Sequence, residues 1–268
     1  MANSASRLEV APAPGDSYVQ SFARGLAVIC SFSALAPRQT LSEVAARTGL
    51  TRAGARRILL TLQTLGYVAG DGKHFRLMPR ILELGFAYLS SLPIWNLAEP
   101  VMEGLSDQVR ESCSAAVLDG ADIVYVLRVH THKIMSLNLG VGSRLPAYCT
   151  SMGRMLLAGL PDAEVQQRLC ASDLRAHTQR TVIDVPELME RVQQARAQGW
   201  CLVDQELEEG LISMAAPVLN QAGETIAALN ISGQANRTSA EVMQQTMLPA
   251  LREAAKTISL MLHWKSPH

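Results

Sequence analysis

Several features are missing from this 268-residue chain, and each absence removes a class of protein. No stretch approaches the run of about 18 apolar residues that a membrane-spanning helix needs. Residues 1–17 are rich in Ala, Pro and Ser and lack the apolar centre of a signal peptide, so a disordered arm is expected there. There is no internal repeat, and no G-x-S-x-G turn of the kind that presents a hydrolase serine. The five cysteines, Cys30, Cys113, Cys149, Cys170 and Cys201, are scattered, odd in number and free of any C-x-x-C pair. That usage predicts reduced core thiols in a cytosolic protein. Net charge is absent as well, since 24 Lys/Arg balance 24 Asp/Glu.

The neutrality conceals a division. Residues 1–78 carry nine Lys/Arg against four Asp/Glu, a net +5; residues 79–268 carry fifteen against twenty, a net −5. Local positive charge is what a polyanion partner requires, because phosphate neutralisation supplies most non-specific affinity. The length and a hydrophobic content of 48% leave room for two domains and a sizeable core.

The basic part contains the most specific pattern. Thr40 and Glu43 form a T-x-x-E capping box at a helix start. Leu41, Val44, Ala45 and Thr48 follow on one helical face, and Gly49 permits the left-handed turn that ends it. Thr51 caps a second helix in which Ala55, Ile58, Leu59, Leu62 and Leu65 cluster on one side. Arg52, Arg56 and Arg57 spread over the other side, the pattern of a helix-turn-helix with a cationic recognition helix. A guanidinium in the major groove can pair with guanine O6 and N7, and Thr51 can donate to a phosphate. Gly66 ends that helix. Tyr67-Val68 and Phe75–Leu77 then read as strands around a Gly70-Asp71-Gly72 turn, a wing whose Lys73, His74 and Arg76 would meet the nucleic acid. Upstream, Phe22, Leu26, Ile29 and Phe32 form a third helical stripe with Ser21 as a candidate cap. Residues 18–78 therefore predict a winged helix-turn-helix domain.

Residues 79–91 predict a helix with Pro79 in its first turn and apolar residues nearly all round. Such a surface must be covered, either by a second copy or by the rest of the chain. Residues 79–95 are read as a linker that also dimerises. From Asn96 a helix leads into strands at Cys113–Leu118, Ile123–Val129 and Ile134–Leu139, then helices at Ser151–Leu160, Asp162–Ser172 and Pro186–Gln198. Strands return at Trp200–Val203, Ser213–Leu219 and Thr225–Ser232, and a last helix starts at a Thr238–Glu241 capping box. The arrangement predicts an α+β domain with a mainly antiparallel sheet over residues 96–268.

In this domain the segment Leu145–Arg154 draws most interest. Thr150 or Ser151 can cap the helix that follows, Gly153 allows a close backbone approach, and the helix start offers free amides to a carboxylate. The same features also describe an ordinary capped helix packed by Met152 and Met155. Arg128, His130 and Arg144 are candidate partners for an acid group. His130 and His132 have the spacing of two metal ligands, but without a third ligand in register no metal or other cofactor is expected. The Glu206, Glu208, Glu209 run reads as a solvated loop. No catalytic constellation emerges.

The stretches GLTRAGARRILLTLQTLGYV, GSRLPAYCTSMGRMLLAGL and GWCLVDQELEEGLISMAAPVLNQAGETIAALNISG resemble the IclR family of bacterial transcription regulators, over about residues 18–264. TRAGARR and RLPAYCTSMGR look like the branch responding to protocatechuate, 4-hydroxybenzoate and related catabolites. The resemblance implies a GAF-like effector domain, dimers or dimers of dimers, a near-palindromic operator and an effector that is a small aromatic carboxylate. The branch has many activators, which leans the expectation toward activation. Family effector positions map onto Ser213, Asn230 and Ser232, beside Leu145, Thr150, Ser151, Met152 and Gly153. Leu145, Met152, Met214 and Leu229 are expected as apolar walls. The chain departs from the family at Val203, where an acid often stands, and at Asn230, where Ser is common.

Overall fold

Thr40 closes its capping box as expected: its hydroxyl accepts from the Glu43 amide while the Glu43 carboxylate accepts from the Thr40 amide at 2.7 Å. In the computed structural model, which describes residues 18–91, 94–130 and 139–263, that box starts α2 (Leu41–Thr48). Gly49 ends it at φ +67° and Thr51 caps α3 (Arg52–Thr64). These helices pack with α1 (Gln20–Cys30) around Val28, Val44, Ala55, Leu59 and Val68. A three-stranded sheet completes the unit, in the order β1 (Gln39–Thr40), β3 (His74–Leu77), β2 (Val68–Gly70).

Some local expectations are corrected. α1 starts after Val19, so Ser21 lies inside it, and Phe22 and Leu26 are exposed while Val28 carries the burial. Leu65 is also exposed because α3 ends before it. Gly70 belongs to β2, which leaves Asp71 to make the turn by accepting the Lys73 and His74 amides. The edge strand β1 was not anticipated; two residues leave no readable alternation.

The chain divides into two compact units, the first ending at Tyr88 and the second starting at Leu89. The divide falls within α4 (Leu82–Ser91), which follows a 3₁₀ turn at Pro79–Ile81. None of α4's residues is buried, and Leu82, Leu84, Phe86 and Tyr88 stand exposed. Among the described residues no single helix is long and apolar enough to cross a membrane.

The second unit is built on a six-stranded antiparallel sheet in the order β6-β5-β4-β9-β8-β7: β4 (Ser112–Asp119), β5 (Asp122–Val129), β6 (Arg144–Pro146), β7 (Cys201–Asp204), β8 (Leu211–Leu219) and β9 (Thr225–Gln234). One face meets α5 (Ile94–Val109) and α10 (Leu248–His263). The other meets α6 (Ser151–Ala158), α7 (Asp162–Ala171) and α8 (Val185–Gln198). The last helical stretch is irregular, passing from α9 (Ala240–Val242) through a π segment (Met243–Met247), and its cap is Ser239, not the Thr238–Glu241 box. The strand expected at Ile134–Leu139 falls mostly outside the described residues, as does His132.

Alternation sorts each strand between the two faces. On β9, Ala227, Leu229 and Ile231 enter the α5/α10 core, while Ala228 enters the α6 core and Asn230 and Ser232 share its side. On β8, Met214 faces the first core and Ser213 the second side. Met214 and Leu229 therefore cannot line a cavity with their neighbours Ser213 and Asn230.

A buried ion pair ties α6 to the β7–β8 connection. Arg154, 2% exposed, forks onto Glu206, 8% exposed, at 2.6 and 2.5 Å, and its Nε donates to the Tyr148 carbonyl at 2.8 Å. Glu206 also accepts the Val182 amide. The run read as a solvated loop thus holds a buried charge, because a partner 52 residues away supplies the guanidinium. Removing one member strands the other in a low-dielectric interior. Glu206→Ala is expected to destabilise the protein by about 3–5 kcal/mol. In denaturant titration the apolar pair Arg154→Met with Glu206→Leu should recover most of that loss.

Candidate nucleic-acid interface and ligand pocket

Arg52, Arg56 and Arg57 all lie on the exposed side of α3, opposite buried Ala55, Leu59 and Leu62. None of the three forms an ion pair among the described residues, which leaves them available to anions. Thr51 Oγ1 accepts from the Gly54 amide at 3.1 Å, so its lone pair serves the cap and its proton remains to donate. Lys73 and Arg76 are exposed on the wing. Arg80 caps the end of α3 by donating to the Leu65 carbonyl at 2.9 Å and lies over the Tyr67 ring. It fixes the start of the linker to the recognition helix of the same unit.

In the second unit a cavity opens between the sheet and the first turn of α6. It is lined by Tyr125, Arg128, Leu145, Thr150, Ser151, Met152, Leu207, Ser213, Asn230 and Ser232, among others. Seven of the eight predicted ligand residues meet there: Leu145, Thr150, Ser151, Met152, Ser213, Asn230 and Ser232. Gly153 does not. A Cβ on it would sit 2.2 Å from the Ala147 carbonyl oxygen, so its missing side chain admits the chain's own backbone, not a ligand.

The polar groups differ in what remains available. Thr150 Oγ1 donates to the Pro146 carbonyl and accepts from the Gly153 amide, so it is consumed by the turn. Ser151, 1% exposed, has a hydroxyl with no hydrogen-bond partner among the described residues. A buried polar atom without a partner is costly unless something else occupies the space beside it. Asn230 Oδ1 accepts from the Ser114 amide at 3.1 Å, which leaves its NH₂ as the group to offer.

Arg128 reaches the cavity because of a bulge. The β4–β5 register shifts between Ala115 and Ala116, so both Val126 and Leu127 turn to the α5/α10 core and both Tyr125 and Arg128 to the cavity. Strand periodicity alone puts residues 125 and 128 on opposite faces. Arg128 is the single guanidinium lining the cavity among the described residues; burial lowers its pKa, a cost that a facing anion relieves. It donates to His130 and lies over Tyr125. Arg144 is turned away and pairs with Asp119 and Asp122 at the surface.

The cavity as it stands measures about 30 Å³. That volume accommodates water but not an aromatic ring, since one water takes about 10–15 Å³ on the same measure. A larger ligand must displace the flexible walls Met152, Leu207 and Leu139. Burial pushes the Cys149 and Cys201 thiols up to about 12, so both stay protonated and inert. Cys30 and Cys170 are exposed and are not core thiols.

Residues 21–72 match the IclR helix-turn-helix domain family, and residues 86–260 match the family of bacterial transcriptional regulator IclR C-terminal domains. The chain is 43% identical over 259 residues to the Pca regulon regulatory protein of Pseudomonas putida, covering 96% of this chain and 89% of that one. It is 36% identical over 249 residues to the p-hydroxybenzoate hydroxylase transcriptional activator of Acinetobacter baylyi, covering 91% and 92%. Its fold matches the solved structure of an IclR homolog complexed with 4-hydroxybenzoate from Microbacterium hydrocarbonoxydans, with a TM-score of 0.78, 28% identity and coverage of 90% and 98%.

Two substitutions separate structure from recognition at the pocket. Gly153→Ala is expected to lower the melting temperature of the protein, by overpacking of about 1–3 kcal/mol or more, with or without any ligand. Ser151→Ala should leave the melting temperature unchanged or raise it, because it deletes an unsatisfied hydroxyl.

Proposed function

The chain belongs to the IclR family of bacterial transcriptional regulators, and we propose that it is the homodimeric switch of an aromatic-acid catabolic operon. It is a regulator and not an enzyme. In this reading residues 18–78 bind DNA, residues 79–95 link and dimerise, and residues 96–268 bind the effector. Two recognition helices read half-sites of a near-palindromic operator, in keeping with two-fold protein symmetry. Arg52, Arg56 and Arg57 contact base edges or phosphates, Thr51 donates to a phosphate, and Lys73 and Arg76 act from the wing. The exposed apolar faces of α4 and α1, with Leu82, Phe86 and Phe22, are covered by the second copy; a dimer of dimers is the larger assembly. The protein works in the cytoplasm, and a relative named as an activator favours positive control.

The single observation that carries the effector reading is the chemistry of the cavity. One guanidinium, a serine hydroxyl with no partner among the described residues, and the first turn of α6 converge among apolar walls. A small aromatic carboxylate fits that set: its carboxylate meets Arg128, Ser151 and the α6 amides, and its ring lies against Leu145, Met152 and Leu207. Ser213, Ser232 and the Asn230 amide suit a ring hydroxyl. A relative that regulates a pca regulon and a neighbour that holds 4-hydroxybenzoate support the class. Because the closed cavity is smaller than the ring, binding selects a wider arrangement, and that differential affinity is what a switch requires.

Thermal-shift titration against mono- and dihydroxybenzoates tests the effector. A true ligand at 100 times its Kd adds about 2.7 kcal/mol of stability. The gain should fall strongly in Arg128→Gln, and equal gains with cyclohexanol would reject the carboxylate. For DNA, Arg56→Ala is expected to cost about 1–3 kcal/mol on operator and little on scrambled duplex if it reads a guanine. An equal loss on both duplexes would assign it to a phosphate.

A further inference from the structure

The wing carries an anion site that the hairpin pattern announces only in part, through His74 and Arg76, because Arg38 joins it from outside the hairpin. β1 is an edge strand on β3, with Gln39 opposite Phe75 and Thr40 opposite His74. Carrying that register back one residue sets Arg38 opposite Arg76, which itself pairs with Ala69 of β2. Gln39 is buried and Phe75 packs on the core of the unit, so alternation turns Arg38, His74 and Arg76 to the outer face. Ala69, which pairs with Arg76 on that face, is too short to fill the space between them. The result is a notch of about 290 Å³ lined by Arg38, Ala69, Gly70, Asp71, His74 and Arg76.

Like charges directly across a strand pair repel each other unless an anion lies between them. Asp71 supplies one negative charge, placed against Arg38 and, at 3.9 Å, the His74 imidazole, and not against Arg76. Its Oδ2 accepts from Arg38 at 2.6 Å, while its Oδ1 accepts from the Lys73 and His74 amides at 3.0 and 2.7 Å. Those amides hold the Asp71 carboxyl at about 2, so it remains an anion and keeps Arg38 beside the notch. Arg76 forms no ion pair among the described residues. We infer that the notch binds a backbone phosphate of the DNA, and that Arg38, from outside the helix-turn-helix and its hairpin, is a phosphate contact. The Arg38–Asp71 pair is solvent-exposed, and such pairs contribute little, so a phosphate can take over the guanidinium at small cost. The inference rests on the DNA-binding reading above and adds a contact that fixes orientation without reading sequence.

Salt titration of the full-length protein on operator and scrambled duplexes tests it. Arg38→Gln is expected to reduce the slope of log Kobs against log salt by about 0.9 on both duplexes. The ratio of operator to scrambled affinity and the melting temperature should stay as in the wild type. Asp71→Asn retains an oxygen for the two turn amides and removes the competing charge, so its slope should equal or exceed the wild-type slope. A pair that serves only to brace the wing predicts something else: both variants lose affinity together with the slope unchanged. That result would overturn the inference while leaving DNA binding intact. Failure of the wild-type protein to bind either duplex would overturn the parent reading as well.

Discussion

A single guanidinium organises the ligand-binding unit. Arg154 is buried, and burying a charge is tolerated only when its donors are satisfied. Glu206 and the Tyr148 carbonyl satisfy them, and in doing so lock the first turn of α6 to the connection between β7 and β8. Those two segments carry opposite walls of the cavity, Ser151 and Met152 on one and Leu207 on the other. The ion pair therefore ties together two of the segments that line the cavity. The close packing of Gly153 on Ala147 serves the same end from the other side of the turn.

The sheet separates stability from recognition. One face, with Leu229, Ile231 and Met214, forms an apolar core with α5 and α10. The other face gives up three core positions to Ser213, Asn230 and Ser232, which lie where a ligand can use them. The bulge at Val126 adds Arg128 to that face without disturbing the apolar side. An antiparallel sheet covered on both faces permits this arrangement, because alternate residues on one strand answer to different environments.

The first unit uses charge in a comparable way. Its small core is apolar, and guanidinium groups stand outward on α3 and on the outer face of the wing. Arg80 is spent on the α3 terminus, Tyr67 and Glu83, and Arg38 is held by Asp71. Leu82, Leu84, Phe86 and Tyr88 of α4 and Phe22 and Leu26 of α1 are the large apolar side chains that these two helices leave facing water.

The features determined by the sequence alone are those decided within a few residues: the capping box at Thr40, the Gly49 turn, the cationic face of α3, and the polar interruptions in β8 and β9. Hydrogen bonds between near neighbours and the fixed periods of helix and strand leave a direct trace in the order of residues. Periodicity and capping marked Leu145–Arg154, and the family resemblance supplied Ser213, Asn230 and Ser232; seven of the eight candidate ligand residues line one cavity. Tertiary structure decided the rest. The partner of Glu206 is 52 residues away, Arg38 reaches Asp71 across 33, and the Val126 bulge is visible only once β4 and β5 are paired. Whether a charge is solvated, paired or aimed into a cavity depends on what the chain brings back to it from elsewhere, and local periodicity carries no record of that.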